Sequence, residues 1–341
     1  MSVPRPVHDG SSHNARRIEV VTTETEGMIE SGFGSLATCR GISECLSSEY
    51  PLVQFNNVTS ERDLEEIVAR APDLVVLCVK YIFDDKAGRI IWLSDYFGKR
   101  SIIHTGSDFA TLNFDSNKSR AKTILRNKGM RTAEYFLAQP GAFESGAKLP
   151  LPFPLFVKPL SAANGNGIDA DSMVHDFTAF EAKVAAVAKT YGKAALVEQV
   201  LTGREFTVAV LGDSKDATGL VMPVEVIVPP NENGDRILGH QAKTENEEQL
   251  CVVEGPLHAR LVDYAGQAFA LLGGRDFGRI DIKLDAAGAP HFLEANLVPG
   301  MTPGSSYFPR ACKINAGMSY GAVVLKIVDL ALTRARKAAA V

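Results

Sequence analysis

A chain of 341 residues, 45% hydrophobic and 22% charged, has ordinary globular composition and is long enough for two or three compact units. Its 36 basic and 40 acidic side chains leave a net charge of −4, and no basic run interleaves with aromatics, which argues against nucleic acid as the main ligand. No apolar stretch approaches the ~20 residues that span a bilayer, and five scattered cysteines (Cys39, Cys45, Cys78, Cys251, Cys312) without a C-x-x-C pair indicate neither a disulfide framework nor a thiolate metal site, so a reducing cytoplasm fits best.

The first 16 residues are polar and rich in Pro, Gly and Ser, lack the apolar core of a signal peptide, and read as a disordered tail. Residues 17–112 form the expected first α/β unit. IEVVT (18–22) and DLVVLCV (73–79) read as buried strands, and between them SERDLEEIVARA carries an N-cap Ser60 with Asp63 three residues on. The unit ends near HTGSDFATLNFD. A central unit over 113–203 opens with the basic helix NKSRAKTILRNK (117–128), closed by Gly129. The strand LFVKP (155–159), a Gly-rich loop, a helix around 172–191 and the strand AALVEQV (194–200) follow. In the last unit, 204–341, EFTVAVLGD and GLVMPVEVIV read as a hairpin. A charged loop, PPNENGDRILGHQAKTENEEQ, is long for a compact domain, as lids often are. A helix at 256–272, a second hairpin and an amphipathic closing helix, GMSYGAVVLKIVDLALTRARK, complete the chain. Strands alternating with helices define an α/β or α+β fold.

Three stretches carry chemistry. VKPLSAANGNGI puts Lys158 at a strand end and Gly165 and Gly167 in the loop after it, where backbone N–H groups and an ammonium can approach an anion. Taken alone, it reads as a Gly-rich turn beside a surface lysine. VEQVLTGREFTV sets Glu198 and Glu205 about a bend with Gln199 and Leu201 between them; an adenine and its ribose could sit there, although an ordinary solvated hairpin is the simpler reading.

The third, GRIDIKLDAAGAPHFLEANLVPGMT (278–302), is stronger. Alternation puts Arg279, Asp281 and Lys283 on one face of its first arm, and Glu294 and Asn296 on one face of its second, around the turn 285–288. Paired strands would bring a guanidinium, two carboxylates and an amide together, an oxygen donor set suited to Mg²⁺ shared with substrate phosphates. The competing reading is a structural ion pair from Arg279 to Asp281 or Glu294, which leaves the asparagine unexplained. His104, His240, His258 and His291 have no metal or triad spacing, and Ser305 and Ser306 lack the G-x-S-x-G elbow.

Together these motifs resemble the ATP-grasp superfamily and, within it, the D-alanine–D-alanine ligases. GRIDIKLD…FLEANLVPGMT is similar to that family's A-R-x-D-F…E-x-N-x-x-P-G-M-T, VEQVLTGREFTV to its nucleotide hinge, and FVKPLSAANGNGI to its phosphate loop. NKSRAKTILRNKGMRTAEYF is similar to its first nucleotide lysine and helix, and the likeness spans about 104–335. The resemblance implies three subdomains, with ATP held between the central and C-terminal ones. It implies that Lys118 and Lys158 meet the phosphates and adenine edge, that Glu198, Gln199 and Leu201 line the adenine, and that Glu205 holds the ribose. Lys243 matches a lysine beside the loop that closes over the nucleotide. Asp281 and Glu294 would bind one Mg²⁺ and Glu294 and Asn296 a second, with Mn²⁺ as a substitute. Arg279 and the Gly300 N–H would face the reacting carboxyl, and Ser305 the second substrate's carboxylate.

The implied reaction is ATP- and Mg²⁺-dependent joining of a carboxylate to an amine through an acyl phosphate, with small-molecule substrates, no nucleic acid or membrane partner, and a homodimer through the N-terminal unit. The front of the chain departs from the family. TTETEGMIESGFGS offers Glu24, Glu26 or Glu30 in place of the family's G-G-x-S-x-E glutamate. KYIFDDKAGRI replaces its H-G-x-x-G-E segment, and Thr244 stands where a tyrosine is usual. These parts handle the amino acids, so a ligase of the same mechanism for other amino acids is a second expectation. A nucleotide-binding regulator without catalysis is a third, disfavoured because Arg279, Asp281, Glu294 and Asn296 are all present.

Overall fold

The computed structural model describes residues 16–25, 28, 32–115, 117–161, 165–212, 219–230, 234, 236–237 and 248–339. The first layer holds β1 (Arg17–Thr22), α1 (Leu36–Ser47), β2 (Leu52–Asn57), α2 (Glu61–Ala69) and β3 (Leu74–Leu77). The strands form a parallel sheet ordered β2-β1-β3. Parallel neighbours need crossovers, which α1 and α2 supply. α2 starts at the expected cap: Ser60 accepts from the Asp63 N–H, and Asp63 accepts in return from the Ser60 N–H. A hairpin of β4 (Tyr81–Asp84) and β5 (Arg89–Trp92), then α3 (Leu93–Gly98) and α4 (Phe109–Asp115), lead to α5 (Lys118–Asn127).

The second layer contains β6 (Tyr135–Ala138), β7 (Leu155–Pro159), β8 (Met173–Val174), α6 (Phe177–Tyr191) and β9 (Ala195–Gln199). Its antiparallel sheet has the order β6-β9-β7-β8, and Phe180, Val184 and Val187 of α6 bury against it. The expected helix around 172–191 begins later. Asp176 is its N-cap, accepting from the Ala179 N–H, while residues 170–172 form a short 3₁₀ turn and Met173–Val174 pairs with β7. An Asp side chain competing for backbone N–H groups sets the boundary there.

The third layer holds β10 (Glu205–Leu211), β11 (Leu220–Ile227), β12 (Gln249–Val252), α7 (Gly255–Leu271), β13 (Phe277–Leu284), β14 (Pro290–Asn296), α8 (Tyr307–Ala316) and α9 (Tyr320–Ala339). Its antiparallel sheet runs β12-β11-β10-β13-β14, with α7 on one face and α8 on the other. α9 turns back onto the first layer, where Val323, Ile327 and Val328 join Ile18, Val20 and Ile42 in one core. Arg334 fastens it by donating to both oxygens of Asp276 (3.0 and 2.9 Å) and to the His104 carbonyl (2.7 Å). α5 instead packs Ala121 and Leu125 against Ile280, Phe292 and Phe269 of the third layer. Among the described residues no single helix is long and apolar enough to cross a membrane; α8 and α9 together are, but they meet at 99° and their apolar faces lie in the core.

Candidate active site

A cleft runs between the second and third sheets. It takes in about 840 Å³ counted with the solvent at its open mouth. Phe156, Ile168 and Met173 line one wall, and Leu201 and Leu293 contribute to the other; Lys158, Glu198, Glu205, Asp281 and Glu294 supply charge. An apolar slot with a few polar groups suits an aromatic base and a charged tail.

The lysines come from two elements. Lys158 ends β7, and Lys118 opens α5 behind the N-cap Asn117. One helical turn later, on the same face, stands Lys122. Lys158 Nζ lies 2.6 Å from one Glu198 oxygen and Lys122 Nζ 2.7 Å from the other as an ion pair, while the hydrogen bond that Lys122 donates goes to the Phe292 carbonyl at 3.1 Å. All three side chains are buried, and Lys122 is 0% exposed. Burial opposes charge on Glu198, but the two lysines outweigh it and hold the carboxyl below its usual range. For Lys158 burial is likewise outweighed, by Glu198 and Glu294, and its pKa stands above the ordinary value; for Lys122 burial prevails and lowers it. Lys118 Nζ lies 3.4 Å from Glu294.

At the hinge, Gln199 is exposed, its N–H donating to the Glu134 carbonyl, while Leu201 turns inward. Gly203 lies against the Leu284 carbonyl so closely that a Cβ would stand 2.6 Å from it, which explains the glycine in LTGR. Glu205 accepts from Lys283 at 2.9 Å across the β10–β13 pair.

The 278–302 hairpin folds as β13 and β14, with Asp281 opposite Glu294 and Arg279 opposite Asn296. The register shifts after Asp281, so that Ile282 faces Phe292 and Leu293 is the extra residue. This bulge lets Phe292 and Ala295, three apart, both point into the core while Leu293 reaches the cleft. Like charges set directly opposite need a cation between or beside them. Arg279 supplies one, with Nε and Nη2 each 3.0 Å from an Asp281 oxygen. Thr207 Oγ1 (2.6 Å) and Asn296 Nδ2 (3.1 Å) also donate to Asp281. The structural ion pair is therefore real, and it coexists with the oxygen-rich cluster. Two carboxylates and an amide with access to an anion-binding cleft fit Mg²⁺ shared with phosphate oxygens.

Arg279 lies over the Tyr307 ring at 5.5 Å. The loop from Gly300 to Ser306 wraps this corner. The Thr302 N–H donates to Ser306 Oγ at 2.9 Å, and the Ser305 carbonyl accepts from Arg310 at 3.4 Å. The first layer closes it: the Met301 N–H donates to the Phe33 carbonyl (2.8 Å), and Thr302 Oγ1 lies 3.3 Å from Thr38 Oγ1 at the start of α1.

Of the expected residues, Lys158, Glu198, Gln199, Leu201, Glu205, Asp281 and Glu294 line one cleft. Lys118, Arg279 and Asn296 bond to this set, and Gly300 and Ser305 lie on the adjoining loop. Lys243, Thr244, Glu26 and Glu30 lie outside the described residues; Glu24 is exposed. KYIFDDKAGRI is the β4–β5 hairpin, and its Asp84 accepts from the Glu61, Lys86 and Ala87 N–H groups as a turn residue. Sequence reasoning missed Lys122, Arg236 and Leu293 of the cleft region, and placed Lys283 on the polar face without giving it a role. The first was legible as Lys118 plus four, and the third from the odd spacing of Phe292 and Ala295.

This fold and this site define an ATP-grasp ligase, an ATP-dependent enzyme. Residues 124–329 match the family model described as the D-Ala-D-Ala ligase C-terminus. A D-alanine–D-alanine ligase of Bordetella petrii is 32% identical over 273 residues (80% of this chain, 79% of that one), and one of Burkholderia orbicola 34% over 252 (72% and 75%). The solved D-alanine–D-alanine ligase of Bacillus anthracis complexed with ATP superposes with a TM-score of 0.72 at 22% identity, covering 95% of this chain and 99% of that one. The chain belongs to the D-alanine–D-alanine ligase family.

Proposed function

We propose that the cleft joins two amino acids, D-alanine with D-alanine being the pair that its relatives' names suggest. The supporting observation is the convergence of Lys118, Lys158, Arg279, Asp281, Glu294 and Asn296 at one end of an apolar slot. Glu198, Gln199 and Leu201 line the adenine and Glu205 takes the ribose hydroxyls. Lys118 and Lys158 neutralise the phosphates. Two Mg²⁺ ions, one on Asp281 and Glu294 and the other on Glu294 and Asn296, would lower the charge barrier at the transferring phosphoryl group. A carboxylate oxygen of the first amino acid attacks the γ-phosphorus, the bond to ADP breaks, and an acyl phosphate forms. The second amino acid's amine attacks the acyl carbon. The Arg279 guanidinium and the Gly300 N–H stabilise the tetrahedral oxyanion, and phosphate leaves as the amine gives up a proton. Ser305 meets the second substrate's carboxylate.

A different amino-acid pair is the second reading. It is favoured by the first layer, where Glu24 faces solvent and Asp84 is committed to a turn. ADP release, with product mass, across single and paired D- and L-amino acids separates the two. D-alanine alone giving its dipeptide supports the first, and release only with another pair the second. In either case Glu294→Gln should abolish ADP release; full activity in that variant would remove Glu294 from the mechanism.

A further inference from the structure

The proposed reaction uses Lys158 and Glu198 but gives no part to Lys122, the second lysine on that carboxylate. A phosphate-binding lysine 2.6 Å from a buried carboxylate would lose most of its attraction for an anion, because the pair is neutral to anything beyond it. Here the second Glu198 oxygen is held at 2.7 Å by Lys122, which has no exposure of its own. Two ammonium groups against one carboxylate leave the cluster with one net positive charge. Lys122 comes from α5, Lys158 from β7 and Glu198 from β9, so the cluster joins three elements at the cleft floor. A buried lysine shared in this way is costly unless its charge has a use or a second acceptor. The second acceptor is the Phe292 carbonyl, 3.1 Å away, next to the bulge that carries Leu293 and Glu294.

We propose that Lys122 is a positioning residue for nucleotide binding: by sharing Glu198 it preserves the positive charge that Lys158 presents to the triphosphate. It touches neither base nor phosphate in this account. The inference rests on the ATP-binding reading of the cleft and adds a residue to it.

The test compares ATP with adenosine by titration calorimetry in Mg²⁺, on the wild type, Lys122→Gln, and the double variant Lys122→Met with Glu198→Gln. Lys122→Gln removes the charge and keeps a donor, so ATP should bind at least about tenfold more weakly, with adenosine within about threefold of wild type. The double variant restores the net charge of one, carried by Lys158 alone. Its ATP-to-adenosine affinity ratio should return to within about threefold of the wild-type ratio. Wild-type ATP affinity in Lys122→Gln overturns the proposal. So does equal loss of both ligands, which marks a purely structural lysine, or a double variant as poor for ATP as the single one. Should Lys122→Gln fail to fold, the double variant decides alone, since its buried charges are removed as a pair: a ratio about tenfold below wild type refutes the idea. A wild type that binds neither compound would sink the ATP reading itself rather than this one.

Discussion

Asp281→Asn keeps the shape of a side chain that four donors surround and removes its charge. In the wild type, Thr207 Oγ1, Arg279 Nε, Arg279 Nη2 and Asn296 Nδ2 all point at this carboxylate, at 2.6, 3.0, 3.0 and 3.1 Å. An amide can serve one side only, and its own NH₂ must then face another donor. Arg279, 7% exposed, loses both of its charged acceptors. Removing one partner of a buried pair typically costs ~3–5 kcal/mol. Glu294 stands directly across the hairpin and offsets part of this, so the low end, about 3 kcal/mol, is expected. Urea unfolding without nucleotide or metal measures it as a shifted midpoint at unchanged slope. Turnover should be lost as well if Asp281 holds Mg²⁺ as proposed. A destabilisation below about 1 kcal/mol, the range of exposed pairs, would refute the claim that Asp281 is what keeps Arg279 charged and in place.

Arg279→Lys loses the planar fork, and kcat should fall by ~10²–10³, as for a removed oxyanion donor; single-turnover kinetics at saturating ATP would check it, and an unchanged rate would take Arg279 off the oxyanion. Glu205→Gln should weaken ATP about tenfold, one charged hydrogen bond's worth, and leave 2′,3′-dideoxy-ATP nearly unaffected in the same titration. Phe292→Ala empties a fully buried site beside the bulge, and chemical denaturation should show a loss of ~3–5 kcal/mol. Burial holds His104 down at about 4. Between that value and the ordinary ~6.5 the unfolded chain binds the extra proton and the folded one does not. Stability therefore falls on acidification through this window, by up to about 3 kcal/mol at ~1.4 per unit. His104→Asn should flatten that part of the pH profile; a profile identical to wild type would contradict it.

What the sequence disclosed was local. Ser60 with Asp63 marks the start of α2 because a capping box involves residues three apart, and Asp176 is a plain N-cap residue type that would have marked α6. The β13–β14 face was legible because strand alternation is a local property; the bulge at Leu293 shows in sequence only as the odd spacing of Phe292 and Ala295, and its register is set by the partner strand. The Lys122–Glu198 contact joins residues 76 apart in the chain, and nothing near either one announces the other. The same holds for α9, whose apolar stripe is plain in sequence while its partners, Ile18, Val20 and Ile42, lie at the opposite end of the chain.

The two halves of the site differ in legibility for a chemical reason. A triphosphate with Mg²⁺ can be held only by cations, hard oxygen ligands and close backbone, so Lys158, Asp281, Glu294 and Asn296, in the roles proposed for them, are residue types that few alternatives could replace. The wall where the first layer meets the 300–306 loop, beside which the proposed amino acids would lie, is built from Phe33, Thr38, Thr302 and Ser306, joined by hydroxyl and backbone hydrogen bonds. Even the constraint on Gly34, φ +127° with Thr302 Oγ1 2.9 Å from where a Cβ would stand, arises from a loop more than two hundred residues away. Small neutral groups of this kind can accommodate many side chains with little change in type. Such a wall can be refitted to a new substrate while the phosphate end stays fixed. Hence the motifs of the phosphate end, matched together to one family, point to the reaction, whereas the choice of amino acids would follow from how the first layer packs on the 300–306 loop.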